Sequence, residues 1–126
     1  MADGDRVVLT VPAQGEFART VRVTAAELAS RAGMDIDGIE DVRLAVEEAF
    51  VFAAERLMGP AVTFAFTMGP GGIELDVTPL QPDCDGSVGP DTGERYARFI
   101  LESICDEFTL IPEDGSCRLH LVKRTA

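Results

Sequence analysis

The segment Asp41–Arg56, which reads DVRLAVEEAFVFAAER, decides more about this chain than any other stretch. Its apolar residues recur at helical spacing and predict a long helix with one buried stripe. The stripe extends past both ends of the segment and comprises Ile39, Val42, Val46, Ala49, Phe50, Ala53 and Leu57. Gly59 and Pro60 are expected to end the helix. The helix also carries two adjacent carboxylates, Glu47 and Glu48, of which only Glu48 shares a flank with Phe52 at 100° per residue.

Five other segments predict strands, because they alternate or are rich in β-branched residues. They are residues 7–11, 62–66, 73–77, 107–111 and 117–122. The turns at 69–72 and 112–116 each join two of these strands as an antiparallel hairpin.

Two further helices are predicted around the long one. Apolar residues at helical spacing predict the first over 17–32, with Gly33 as its stop. Thr20–Thr24 alternates with period two, so a second strand of a hairpin is the alternative for 17–24. The last helix is expected to begin near Asp91, and its predicted apolar face comprises Tyr96, Phe99, Ile100, Ser103 and Ile104.

The predicted order of elements is β-α-α-ββ-loop-α-ββ. This order favours an α/β two-layer sandwich, with a mixed, mostly antiparallel sheet and three helices on one face. Asp37 and Glu40 have the spacing of a capping box at the start of the long helix. Residues 79–90 form the longest irregular segment and are expected to be a lid-like loop. The whole chain, 1–126, has the size of a single domain.

Composition excludes several classes of function. The formal net charge is −11, and such a field disfavours direct binding to nucleic acid or to an anionic membrane. No apolar run approaches the roughly 20 residues of a membrane span, and the N-terminus lacks the features of a signal peptide. The expected location is therefore the cytoplasm.

The chemistry-bearing residues outside the long helix are sparse. Cys84, Cys105 and Cys117 lack paired metal spacing, and in a cytoplasmic protein they are expected to be reduced thiols. His120 is expected to face outward from a strand, without a second metal ligand or a triad partner.

The long helix resembles the nucleotide-site helix of the histidine-kinase-like (GHKL) ATPases, in particular the bacterial anti-sigma factors that are serine-protein kinases. That family typically has Glu-Ala-x-x-Asn here, and Glu48-Ala49 matches the first two positions. The resemblance implies that Glu48 is the catalytic carboxylate, which orients or deprotonates the nucleophile. Phe52 replaces the asparagine that helps to hold magnesium, and a phenyl ring offers no oxygen ligand. Asp41 or Glu48 are alternative ligands, and the sequence does not choose between them.

The two remaining motifs of the family are also incomplete. The adenine-reading Asp of Asp-x-Gly-x-Gly falls near Pro79, and Asp83, Asp85 and Gly86 are either a displaced remnant or ordinary loop residues. The glycine-rich phosphate loop retains Gly93 only.

Arg95 and Ala97 replace other glycines of that phosphate loop. Arg95, with Arg98, could bind an anion near a helix start or belong to a solvated face. Arg19 and Arg22 lie on the predicted exposed flank of the first helix, where the resemblance implies contact with protein partners and the alternative is a solubilising surface.

The resemblance covers nearly the whole chain and implies an anti-sigma-like regulator that binds a protein partner, a sigma factor or an anti-sigma antagonist. The eroded motifs imply no cofactor, or weakly bound ATP and magnesium. An active ATP-dependent serine kinase that uses Glu48 is the first alternative, and an unrelated α/β binding module is the second. A homodimer is consistent with the family.

Overall fold

The computed structural model describes residues 4–84 and 93–125. Five strands and three helices follow one another along the described chain in the predicted order. They are β1 (Asp5–Pro12), α1 (Ala18–Arg31), α2 (Ile36–Arg56), β2 (Ala61–Gly69), β3 (Gly72–Leu80), α3 (Gly93–Ile104), β4 (Glu107–Glu113) and β5 (Ser116–Arg124). A short 3-10 turn, Gly15–Phe17, precedes α1. The helix predicted over 17–32 is thus confirmed, and the alternative hairpin at 17–24 is wrong.

The strands form one sheet in the order β1-β2-β3-β5-β4. All four pairings between these strands are antiparallel. Alternate residues of each strand face the helices, so the cross-strand pairs Phe64–Val77 and Leu75–Leu121 lie in the core. The opposite face carries polar pairs such as Asp76–His120. The prediction of an α/β two-layer sandwich is confirmed, but the described sheet is antiparallel in every pairing and not mixed.

Helix α2 is the centre of the helical layer, because it packs against both α1 and α3. Its buried residues are Val42, Ala45, Val46, Ala49, Phe50, Phe52, Ala53 and Arg56. The predicted stripe is confirmed in most positions, but it is wider than expected and includes Phe52. A helix covered by neighbours on both flanks buries more than the roughly 100° that an amphipathic surface helix buries.

The start of α2 corrects one prediction. The N-cap is Asp35, whose Oδ1 accepts a hydrogen bond of 2.8 Å from the backbone N–H of Gly38. The predicted capping box of Asp37 and Glu40 is therefore wrong, because the helix begins at Ile36 and Asp37 already lies in its first turn.

The exposed face of α3 corrects another. Ala97 and Leu101 are fully buried, whereas Tyr96 is 65% exposed and Phe99 is 69% exposed. The predicted apolar face that contained Tyr96 and Phe99 is therefore wrong, although the helix itself is confirmed. The small side chain of Ala97 allows α3 to approach the core closely. Hydrophobicity alone does not show which face of a helix makes such a close approach.

The boundaries of the predicted loop also differ. Strand β3 continues through Pro79 to Leu80, so the first residues of the predicted 79–90 loop belong to the sheet. Residues 85–92 lie outside the described part of the chain.

The cysteines differ from the prediction as well. Cys84 and Cys117 form a disulfide, and Cys105 is a free, partly buried thiol. The expectation of three reduced thiols is therefore wrong for two of them, because spacing along the chain does not show that residues separated by 33 positions are adjacent in space.

Candidate functional site

Glu48 lies in the middle of α2, one helical turn before Phe52 and on the same flank. Its carboxyl is partly buried, and this desolvation raises its pKa above the usual 4.5; the adjacent Glu47 raises the pKa further. Glu47 itself turns towards α1, where it forms a half-buried ion pair with Arg22. The two neighbouring carboxylates therefore have separate roles: Glu47 links two helices, and Glu48 remains a candidate acid or base.

Phe52 lies one helical turn after Glu48, and its side chain is 0% exposed. The Phe108 ring of β4 meets it edge-on, with 5.8 Å between ring centroids and an interplanar angle of 90°. The guanidinium carbon of Arg56 lies 5.2 Å from the Phe52 centroid. The Phe52 ring thus makes an aromatic contact with Phe108 and a cation–π contact with Arg56.

Arg56, in the last turn of α2, is the residue that the sequence analysis missed. It is 7% exposed and is the only charged residue in the buried set of the described chain. Its Nη1 donates a 2.8 Å hydrogen bond to the backbone carbonyl of Asp83. A basic residue in the last turn also suits the negative end of the helix dipole. The spacing Phe52–Arg56, one turn apart, was the available signal for their contact.

Three backbone or side-chain contacts hold the end of α2 against the segment that follows β3. The backbone N–H of Gln81 donates to the carbonyl of Arg56 at 2.6 Å, and that of Met58 donates to the carbonyl of Pro79 at 3.1 Å. The side-chain amide of Gln81 also donates to the Leu57 carbonyl at 3.1 Å. The backbone carbonyls of Arg56 and Leu57, at the end of α2, are therefore hydrogen-bonded to Gln81, the residue that follows β3.

One cavity between α2 and the sheet lies nearer the start of the helix. Its volume is about 20 Å³, and Val42, Val46, Phe66 and Leu121 are among the residues that line it. This volume is close to what one water molecule needs, so the cavity cannot hold a nucleotide.

No family model matches the sequence. The serine-protein kinase RsbW of Halalkalibacterium halodurans is 31% identical over 127 residues, which cover 88% of this chain and 78% of that protein. The chain belongs to the RsbW family. The serine-protein kinase RsbW of Staphylococcus aureus strain MRSA252 is 28% identical over 130 residues, or 88% of this chain and 82% of that protein.

A solved structure shares the fold. The crystal structure of the RsbU and RsbW domains of a Mycobacterium tuberculosis protein superimposes with a TM-score of 0.68 at 20% sequence identity. The match covers 95% of this chain but only 32% of that longer chain. Membership of the RsbW family confirms the resemblance found in α2, and the alternative of an unrelated α/β module is set aside.

Of the other candidate residues of this RsbW-family chain, the structure describes Asp83, Gly93 and Arg95. Asp83 is exposed, and its backbone carbonyl is bound to Arg56. Asp85 and Gly86 lie outside the described residues. Gly93 is the first residue of α3, and Arg95 is exposed near the start of that helix. Anion binding by Arg95 stays a prediction.

The two arginines of α1 differ from each other. Arg19 is exposed, as expected for a partner contact. Arg22 is partly buried in its ion pair with Glu47, so its placement on an exposed flank was wrong. Of Arg19 and Arg22, Arg19 is therefore the one whose charge is accessible to a partner.

Two further predicted roles concern metals. Asp41, one of the alternative magnesium ligands, forms an ion pair of 2.9 Å with Lys123 Nζ. Within residues 4–84 and 93–125, no group of three His, Cys, Asp or Glu side chains is arranged to hold a metal ion. In the same part of the chain, no helix has the length and apolar character needed to cross a membrane.

Proposed function

We propose that this member of the RsbW family regulates by binding a protein partner, and that its binding of ATP and magnesium is weak or lost. The observation that carries the proposal is Phe52. At the position where the family resemblance puts a magnesium-binding asparagine, the chain has a fully buried ring between Phe108 and Arg56. Magnesium needs oxygen ligands, and this side chain has none.

The residues at the other two motifs support the same conclusion. Pro79 stands near the position of the family's adenine-reading Asp and has no backbone N–H. Its carbonyl already accepts a hydrogen bond from the backbone N–H of Met58. Ala97 stands where the phosphate loop has a glycine, and its methyl group is fully buried in the core. Ala97 is the fifth residue of α3, so the helix itself uses its backbone N–H and leaves none for a phosphate.

The partner we propose is a sigma factor or an anti-sigma antagonist, by analogy with the family. The net charge of −11 favours a partner with a basic contact surface. Arg19 is a candidate contact on α1, and a homodimer is the assembly state we propose. We infer a cytoplasmic location from the same analogy.

Calorimetric titration of the purified protein with ATP and magnesium tests the nucleotide part of this proposal. We expect no saturable binding tighter than a Kd of about 1 mM. Phe52→Asn is the matched variant, because it restores the missing amide. Magnesium-dependent binding by the unchanged protein with a Kd of about 10 μM or tighter would overturn the proposal.

Association is tested separately, by size-exclusion chromatography with candidate sigma factors and antagonists. A complex of equal affinity with and without Mg–ATP is the expected result. A complex that forms only with Mg–ATP would contradict it.

An active serine kinase is the second candidate, and the environment of Glu48 favours it. A partly desolvated carboxylate with a raised pKa is suited to take a proton from a serine hydroxyl. Transfer of ³²P from ATP to a partner serine, abolished by Glu48→Gln and retained by Glu47→Gln, would establish this function. Absence of transfer to every partner that binds would remove it.

A further inference from the structure

The disulfide between Cys84 and Cys117 joins the segment after β3 to the beginning of β5. The two Cα atoms are 5.9 Å apart, and 33 positions separate the residues in sequence. Cys117 is the second residue of β5 and pairs with Leu80, the last residue of β3. Residues 81–84 therefore leave the sheet at Leu80 and return to it through the sulfur bridge.

The same short segment covers the buried end of α2. The backbone N–H of Gln81 donates to the Arg56 carbonyl, and Arg56 Nη1 donates to the Asp83 carbonyl. Arg56 in turn lies over the Phe52 ring. Of the contacts described between 81–84 and the rest of the chain, the sulfur bridge is the covalent one, and it closes the end of the segment farthest from β3.

The two cysteine residues differ in exposure. Cys117 is fully buried, whereas Cys84 is partly exposed. Of the two cysteines, Cys84 is therefore the one that an external thiol or disulfide would meet first. This is the arrangement of an attacking and a resolving cysteine, in which one sulfur meets the reagent and its neighbour completes the exchange.

We propose that Cys84 and Cys117 form a redox-modification site whose substrate is a low-molecular-weight disulfide, and that its oxidation clamps residues 81–84 over Arg56 and Phe52. The Cys84 thiolate attacks the external disulfide, forms a mixed disulfide and releases one small thiol. The Cys117 thiolate then attacks Cys84 Sγ and releases the second small thiol. The protein loses two electrons and two protons, and the external disulfide is reduced to two thiols. This inference does not depend on the proposed function.

The third cysteine is an internal control for this chemistry. Burial raises the pKa of the Cys105 thiol to about 12, so little of it is thiolate at neutral pH. It lies just after α3, next to Lys123, and takes no part in the bridge. Cys105→Ser should therefore leave the redox response intact.

The test compares the full chain after incubation with dithiothreitol and with oxidised glutathione. Intact mass and alkylation should show a loss of two hydrogens and one remaining free thiol in the oxidised protein. Because the bridge closes a long loop, the oxidised form should melt about 10 °C higher. Hydrogen exchange at the Gln81 amide should be at least about tenfold slower in the oxidised form, because that amide opens only when the segment leaves Arg56.

Two variants separate the clamp from a general effect of oxidation. Cys84→Ser should lose both differences and should leave Cys117 unmodified by glutathione, whereas Cys105→Ser should retain both. The amide of Val8 in β1, far from the bridge, should change less than that of Gln81. The proposal is overturned if oxidised glutathione leaves all three thiols free. It is also overturned if the bridge forms and exchange at Gln81 is equal in the two states.

Discussion

Truncation of Phe52 to alanine measures directly whether the ring is part of the core. The side chain is 0% exposed, and Phe→Ala substitutions at such sites cost about 3–5 kcal/mol. Part of that cost comes from the edge-on contact with Phe108, worth about 1 kcal/mol, and part from the Arg56 guanidinium left without its ring. We expect the free energy of unfolding to fall by about 4 kcal/mol and the melting temperature to fall by about 15 °C.

The assay is urea unfolding followed by far-ultraviolet circular dichroism, with the Cys84–Cys117 bridge kept oxidised in all samples. Phe99→Ala is the matched control, because that ring is 69% exposed and its loss should change stability by no more than about 0.5 kcal/mol. A double-mutant cycle with Phe108→Ala should give a coupling energy of about 1 kcal/mol.

A cost below about 1 kcal/mol for Phe52→Ala would refute the reasoning, since a filled core site loses more than that. The ring would then be dispensable for packing, and its position in the nucleotide motif would need a different explanation. If Phe52→Ala costs about 4 kcal/mol but shows no coupling to Phe108→Ala, the burial of Phe52 is supported and a specific contribution from its contact with Phe108 is not.

Two other predictions concern α2. Glu48→Gln should stabilise the protein at pH 7, because the raised pKa means that the fold disfavours the ionised carboxylate. The difference should shrink as the pH falls and vanish well below pH 4.5, where the carboxyl is protonated in both the folded and the unfolded state. A stability gain that persists unchanged at low pH would contradict this cause. Asp35→Ala should lower the free energy of unfolding by about 1 kcal/mol, because the N-cap of α2 is lost. Asp37→Ala should lower it by less than half of that amount. Equal losses in thermal melts would argue against Asp35 as the cap.

Much of the fold could be predicted because it is encoded locally. The hairpin of β2 and β3 follows from two alternating segments around a glycine-rich turn, and both strands pair in the expected antiparallel sense. The centre of α2 follows from its 3.6-residue period. These signals depend on residues within one element or in adjacent elements, so a single sequence contains them.

Several of the wrong predictions depended on what a residue meets in space. Tyr96 and Phe99 were taken for the inner face of α3 by hydrophobicity, but Ala97 and Leu101 fit the close contact with the core. Arg56 was missed because a charged residue is rarely buried, and its partners, the Phe52 ring and the Asp83 carbonyl, come from two separate segments.

The sequence by itself determined the order of elements, the family resemblance and the substitution of Phe52 for an asparagine, because each is a matter of periodicity or of residue identity at a motif position. Only the tertiary structure decided that Phe52 is buried under Arg56, that Glu47 pairs with Arg22 of α1 while Glu48 does not, and that Cys84 is joined to Cys117. The physical reason is that burial, ion pairing and disulfide formation depend on distances between segments, which packing of the helices on the sheet creates.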